Sequence, residues 1–131
     1  MRNLEKRESM PIVRFGLKEE KIYFNHAVLT SLDSPKYVQF LYDKERKLLL
    51  VAGNNEKLPD SLAVPKKVYQ YRMKDFRICH KHLTESFTLR LGWDKNENYS
   101  VTGGVNPYIS MVVFELIGAT ATESEQENIL V

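Results

Sequence analysis

The chain has 131 residues, 43% hydrophobic, 11% aromatic and 27% charged, with a net charge of +2. This suits one compact domain, or two very small ones sharing a core, and excludes a disordered, collagen-like or low-complexity chain. No apolar run approaches the roughly 20 residues that cross a bilayer, and the start lacks the charged-then-apolar order of a signal peptide. Cys79 is the single cysteine, which excludes an intrachain disulfide framework and makes a reducing cytoplasm the expected setting.

Residues 1–10 are polar and aperiodic, and read as a flexible arm or as sequence upstream of a start at Met10. Pro11 to Phe15 is a short β-type run. In Lys21-Ile22-Tyr23-Phe24-Asn25, Ile22 and Phe24 alternate with Lys21 and Tyr23, as in a half-buried strand. Asn25 stands where a helix N-cap belongs, and Val28, Leu29 and Leu32 then fall on one helical face. Asp33-Ser34-Pro35 must stop that helix early. Tyr37 to Tyr42 and Lys47 to Val51, joined by the polar turn Asp43-Lys44-Glu45-Arg46, predict a hairpin. The leucines of its second strand suggest burial on both faces.

Residues 52–65, with Gly53, Asn54, Asn55, Pro59 and Pro65, read as a linker. The pattern then restarts. Val68 to Met73 reads as a strand, and Phe76-Arg77-Ile78 alternates as Ile22-Tyr23-Phe24 does. Cys79, His80, Leu83 and Thr84 take the places of Asn25, His26, Leu29 and Thr30 at an offset of 54. A second, longer helix runs through Phe87, Leu89 and Leu91 to a glycine cap at Gly92, with Trp93 closing the core beside it. Tyr99 to Val101 and Met111 to Leu116 form a second hairpin, and Gly103 supplies positive φ at its tip, residues 103–110. Residues 118–131 read as an acidic, mobile tail.

The expected fold is therefore mainly β with short helices (α+β). One globular domain, residues 11–117, holds two strand-strand-helix-hairpin repeats, 11–51 and 66–116, packed as a barrel about a pseudo-two-fold axis. One repeat has too little core to be stable alone.

Within the first repeat, Ile12-Val13-Arg14, Lys21 to Asn25, Val28, Leu32 and Tyr37 to Leu50 follow one another without large gaps. This order resembles the N-terminal domain of the AbrB-type, swapped-hairpin transition-state regulators, and the tandem arrangement resembles the MraZ branch. The resemblance implies interleaved hairpins and DNA binding, with the basic contact positions falling on Arg14 and Lys21. A further basic pair of the family falls on Leu29 and Thr30. The family's usual proline and glycine fall on Asn25 and Asp33. In the second repeat the positions matching Arg14 and Lys21 are Val68 and Asp75, and the branch's Asp-x-x-x-Arg signature is absent.

Charge is unevenly spread. Residues 57–90 carry eight basic and three acidic side chains, whereas residues 91–131 carry one and six. The basic stretch either meets phosphates or is a solvated face balanced by the acidic C-terminal third. Cys79-His80-Lys81-His82 resembles a zinc or nucleophile cluster, but on a strand Cys79 and His80 point to opposite faces, so neither a metal site nor a catalytic residue is expected. His26 and His80 are read instead as satisfying free backbone groups at the strand–helix turns. Trp93, Tyr99 and Tyr108 serve either as core aromatics or as a stacking platform for bases. No cofactor is expected.

The leading expectation is a nonenzymatic DNA-binding transcriptional regulator. Its phosphate contacts are Arg14, Lys21, Lys66, Lys67, Arg72, Lys74, Arg77 and Lys81, and its partner is double-stranded DNA. The alternative is a protein–protein interaction module, antitoxin-like or a mobile-element accessory, that pairs as a homodimer or with another protein and binds no nucleic acid.

Overall fold

The computed structural model describes residues 10–79 and 81–121. Residues 1–9 of the expected arm, His80 and most of the expected tail (residues 122–131) lie outside them. The chain is mainly β, with two five-stranded antiparallel sheets and short helices. Strands β1 (Ile12–Gly16) and β2 (Lys21–Asn25) lead into α1 (His26–Ser31), then β3 (Tyr37–Asp43) and β4 (Leu48–Asn54). Next come β5 (Leu62–Ala63), α2 (Lys66–Gln70), β6 (Asp75–Cys79) and α3 (Lys81–Leu91). The chain closes with β7 (Asn98–Thr102), β8 (Gly104–Asn106), β9 (Met111–Glu115), a single 3₁₀ turn at Leu116–Gly118, and β10 (Thr120–Ala121). Among the described residues no helix is long and apolar enough to cross a membrane.

One sheet has the order β10-β7-β1-β2-β6, the other β5-β3-β4-β9-β8. Period-2 alternation turns Val13, Phe15, Ile22, Phe24 and Phe76 of the first sheet toward Val38, Leu49, Val51, Val112 and Phe114 of the second, and all are buried. Phe24 lies at the centre of one aromatic group, with ring centroids 5.1 Å from Phe40, 6.4 Å from Phe76 and 6.5 Å from Phe114. At the other end, α3 inserts Phe87 edge-on between Phe15 (5.4 Å) and Tyr42 (4.9 Å). Trp93 closes that end, 5.1 Å from Phe15 and stacked 4.5 Å from Tyr99, so Trp93 and Tyr99 are core aromatics. Tyr108 stands apart and 95% exposed.

Local chemistry explains most element ends. Asp33 and Ser34 adopt positive φ (68° and 49°) and terminate α1. Gly92 (φ +67°) follows the last residue of α3, as a left-handed cap requires. Asn25 does stand at the N-cap of α1, but its side chain does not cap the helix. Its Oδ1 accepts from the Ile12 amide at 3.0 Å and its Nδ2 donates to the Met10 carbonyl at 2.9 Å, fastening the start of β1 instead.

Several expectations are corrected. Residues 68–73 are not a strand: α2 occupies Lys66–Gln70, following Pro65, and Val68 is its buried contact. The segment read as a linker contains the end of β4 and all of β5, which pairs Leu62 and Ala63 with Val38 and Tyr37. β4 is fully buried on one face only, through Leu49 and Val51. The start of the expected tail is ordered, since Thr120 and Ala121 pair with Ser100 and Tyr99. The second hairpin is β8 with β9; β7 crosses into the other sheet and pairs along β1.

Gly103 marks that crossing, and its φ is not positive. The glycine is required for close approach: a Cβ there would lie 2.6 Å from both the Phe114 ring and the Val113 carbonyl oxygen. Gly103→Ala should therefore lower unfolding free energy by about 1–3 kcal/mol, the usual cost of overpacking. Urea denaturation followed by tryptophan fluorescence would measure it.

Candidate functional site

The two sheets present very different outer faces. On the first, the ladder aligns Ser100, Arg14, Tyr23 and Arg77 across β7, β1, β2 and β6. Residues opposite one another in a ladder share a face, so these side chains form a row that faces away from the core. One step along, Lys21 stands opposite Cys79 on the same face. Arg14 and Arg77 are exposed and Lys21 is half-buried.

The row is internally braced. The Arg14 guanidinium lies 5.5 Å from the Tyr23 ring centroid, a cation–π distance. Its Nη2 donates to Asp75 Oδ2 at 2.9 Å. Both side chains are substantially exposed, so this ion pair orients Arg14 and adds at most about 1 kcal/mol to stability. The Tyr23 hydroxyl reaches Glu19 Oε1 at 3.4 Å.

Beside this row α2 and the following loop build a rim. Tyr23, Lys67, Val68, Met73, Lys74, Asp75 and Arg77 line, with Pro65 and Phe76, an open depression of about 620 Å³. Two long-range bonds hold the rim. The Tyr69 hydroxyl donates to the Pro35 carbonyl, and the His26 amide donates to the Lys74 carbonyl at 2.8 Å. Burial pushes the Tyr69 phenol up to about 12, so it stays protonated, and a donor, throughout the neutral range. Val68 packs into the core beneath, which leaves Lys67 on the outside of the helix.

Five of the eight basic residues singled out from the sequence thus come together: Arg14, Lys21 and Arg77 on the sheet, and Lys67 and Lys74 on the rim. Of these, Lys67, Lys74 and Arg77 line the depression and Arg14 and Lys21 stand on the sheet face beside it, whereas Lys66, Arg72 and Lys81 are exposed and belong to neither the depression nor that ladder. Sequence reading missed Tyr23 and Asp75 as parts of this surface. Alternation does place Tyr23 outward, but nothing local shows that Asp75 meets Arg14 across 61 residues.

The remaining candidates fall elsewhere. Cys79 is free and exposed at the end of β6, and His82 is exposed on α3. The bond at the strand–helix turn is made by the His26 backbone amide, and its ring Nδ1 is buried with no partner among the described residues. Among those residues no group of three His, Cys, Asp or Glu side chains is placed to hold a metal ion. No family model matches the chain, and no curated protein or solved structure matches it either.

Proposed function

We propose that this protein is a nonenzymatic DNA-binding regulator whose basic sheet face and α2 rim lie against the phosphates of a duplex. One observation carries the reading. Cations from segments far apart in sequence (β1, β2, α2 and its following loop, and β6) converge on one exposed surface. A merely solvated basic stretch has no reason to be joined there by Arg14 and Lys21 from the other end of the chain. Cations gathered on a rim and on the sheet face beside it neutralise phosphates and release counterions. Arg14 and Arg77, either side of Tyr23, are the two side chains suited to reaching a groove edge.

The scaffold we infer is an AbrB-like tandem unit. Two pairings support it. Tyr23 and Arg77, equivalent under the sequence offset of 54, stand directly opposite each other in the β2–β6 ladder, as residues on a two-fold axis do. On the second sheet β4 pairs antiparallel with β9 about Leu50 and Val113. In this reading the second repeat starts at β5, inside the segment read as a linker, rather than at residue 66: β5 stands for β1, because it pairs with β3 as β1 pairs with β7, and α2 takes the place of the β1–β2 turn.

Fluorescence anisotropy with a short duplex across a salt series tests the function. Five phosphate contacts should give a log–log slope of about −4 to −5, at about −0.9 per contact. A flat salt dependence, or no binding at low salt, would overturn the proposal in favour of a protein-pairing module.

A further inference from the structure

The outer face of the second sheet carries an apolar row across its middle, where that of the first carries a charged one. Leu41, Leu50, Val113 and Gly104 form one row across β3, β4, β9 and β8. Leu48 and Met111 flank it, one on either side. Leu41 is 47% exposed, and Ile117, in the turn after β9, is 75% exposed. A sheet face left to water normally alternates to polar residues, as the first sheet does. An apolar stripe rimmed by polar residues, here Gln39, Asp43, Asn106 and Glu115, marks an interaction surface.

We propose that this face is the interface of a symmetric homodimer, with the second copy of the chain as its occupant. The face is self-complementary about a two-fold axis running along the strands between β4 and β9, in the plane of contact. That operation lays Leu50 on Val113 of the second copy. It sets Leu41 over Gly104 of the second copy, where the space a side chain would fill is open: a Cβ on Gly104 meets nothing within 4 Å. Gln39 and Asn106, which share the next row through Ala52 and Met111, then come opposite each other at the polar edge of the contact, their amide oxygens already accepting from Asn54 and from the Tyr108 amide within the chain. At the far end Arg46, in the β3–β4 turn, comes beside Glu115 of the second copy. Within one chain both line the same rim with Leu48 and Ile117, and the Arg46 side chain is 79% exposed, with Asp43 only at 4.0 Å. A second copy thus brings matching charge at the rim and a leucine for the open glycine.

The interface does not depend on the DNA-binding reading. One consequence does: because the two sheets face opposite ways, the dimer would carry its two basic faces on opposite outer sides.

Sedimentation equilibrium on the full chain tests the interface. The wild type should run at twice the 15.3 kDa chain mass, and Leu41→Asp should run as a monomer with an unchanged far-UV spectrum. Arg46→Glu and Glu115→Arg should each weaken the dimer roughly tenfold, since the symmetry repeats each like-charge contact twice. The double variant Arg46→Glu/Glu115→Arg should restore it, an outcome that misfolding of either single variant cannot mimic. A wild type still monomeric at about 100 µM, where a micromolar dimer is saturated, would overturn the proposal. So would a dimer indifferent to Leu41→Asp and to the charge swap. Both results stand whether or not the protein binds DNA, and duplex anisotropy on the same samples reads that separately.

Discussion

Replacing Lys67, Lys74 and Arg77 together by alanine is expected to weaken duplex binding by about two to three orders of magnitude near 0.1 M salt, and to make the log–log salt slope shallower by about 2.7, at 0.9 per lost phosphate contact. The three side chains line one depression, and all are exposed. Their truncation removes charge without opening a cavity, and surface changes of this type usually stay within about 0.5 kcal/mol each. The folded protein should therefore survive, so a loss of binding is a loss of contact. Truncating Lys66, Arg72 and Lys81 is the control. It removes the same formal charge from the same part of the sequence, but from residues outside the depression. If both triples weaken binding equally, only net charge matters and the depression has no special role. If the first triple keeps the wild-type slope, the phosphates lie on another surface.

The second large effect is on stability. Phe24→Ala is expected to cost about 3–5 kcal/mol, the range for emptying a fully buried phenylalanine site. Phe24 is 1% exposed and its ring lies against Phe40 and Phe114 of the opposite sheet and Phe76 of its own. No single neighbour can move in to fill the space, because those rings belong to strands held in two different ladders. Against a typical total of about 5–15 kcal/mol, this removes much of the margin. Urea unfolding should show a midpoint far below wild type with a similar slope. A shift worth less than about 1 kcal/mol would mean that the two sheets are not joined through this cluster. Because Phe24 is flanked on its strand by outward-facing Tyr23, the same variant should also weaken binding at temperatures where the two sheets begin to separate.

The basic surface exists only because distant segments meet. Arg14 and Lys21 are legible as basic residues on alternating strands, and Lys67, Lys74 and Arg77 as members of a basic stretch. Their union is not legible, because it depends on β2 choosing β6 as its neighbour. That choice is made by side chains of the buried face, where Phe24 stands opposite Phe76 and Ile22 opposite Ile78. The segment 66–73 shows the limit of local reading. Val68, Tyr69 and Tyr71 have strand propensity, and a run this short carries too little periodicity to separate strand from helix. Pro65 just ahead of Lys66 is the local signal for a helix start that was available. Tertiary packing of Val68 and the Tyr69–Pro35 bond decide the matter.

By itself the sequence determines what is local. Alternation sets β2 and β6, aromatic and β-branched content sets β3, the polar turn at 43–46 sets the first hairpin, Asp33 and Ser34 end α1, and Gly92 ends α3. These follow from side-chain volume, backbone φ and the period of each element, which act over a few residues. Tertiary structure alone decides which strands become neighbours. It splits residues 98–106 between two sheets at Gly103, where the Phe114 ring leaves no room for a side chain. It also gathers a basic row on one sheet's outer face and an apolar row across the other's. Burial free energy depends on the area removed from water by whichever segments finally touch, and a single strand's pattern says which of its faces is buried but not against whom.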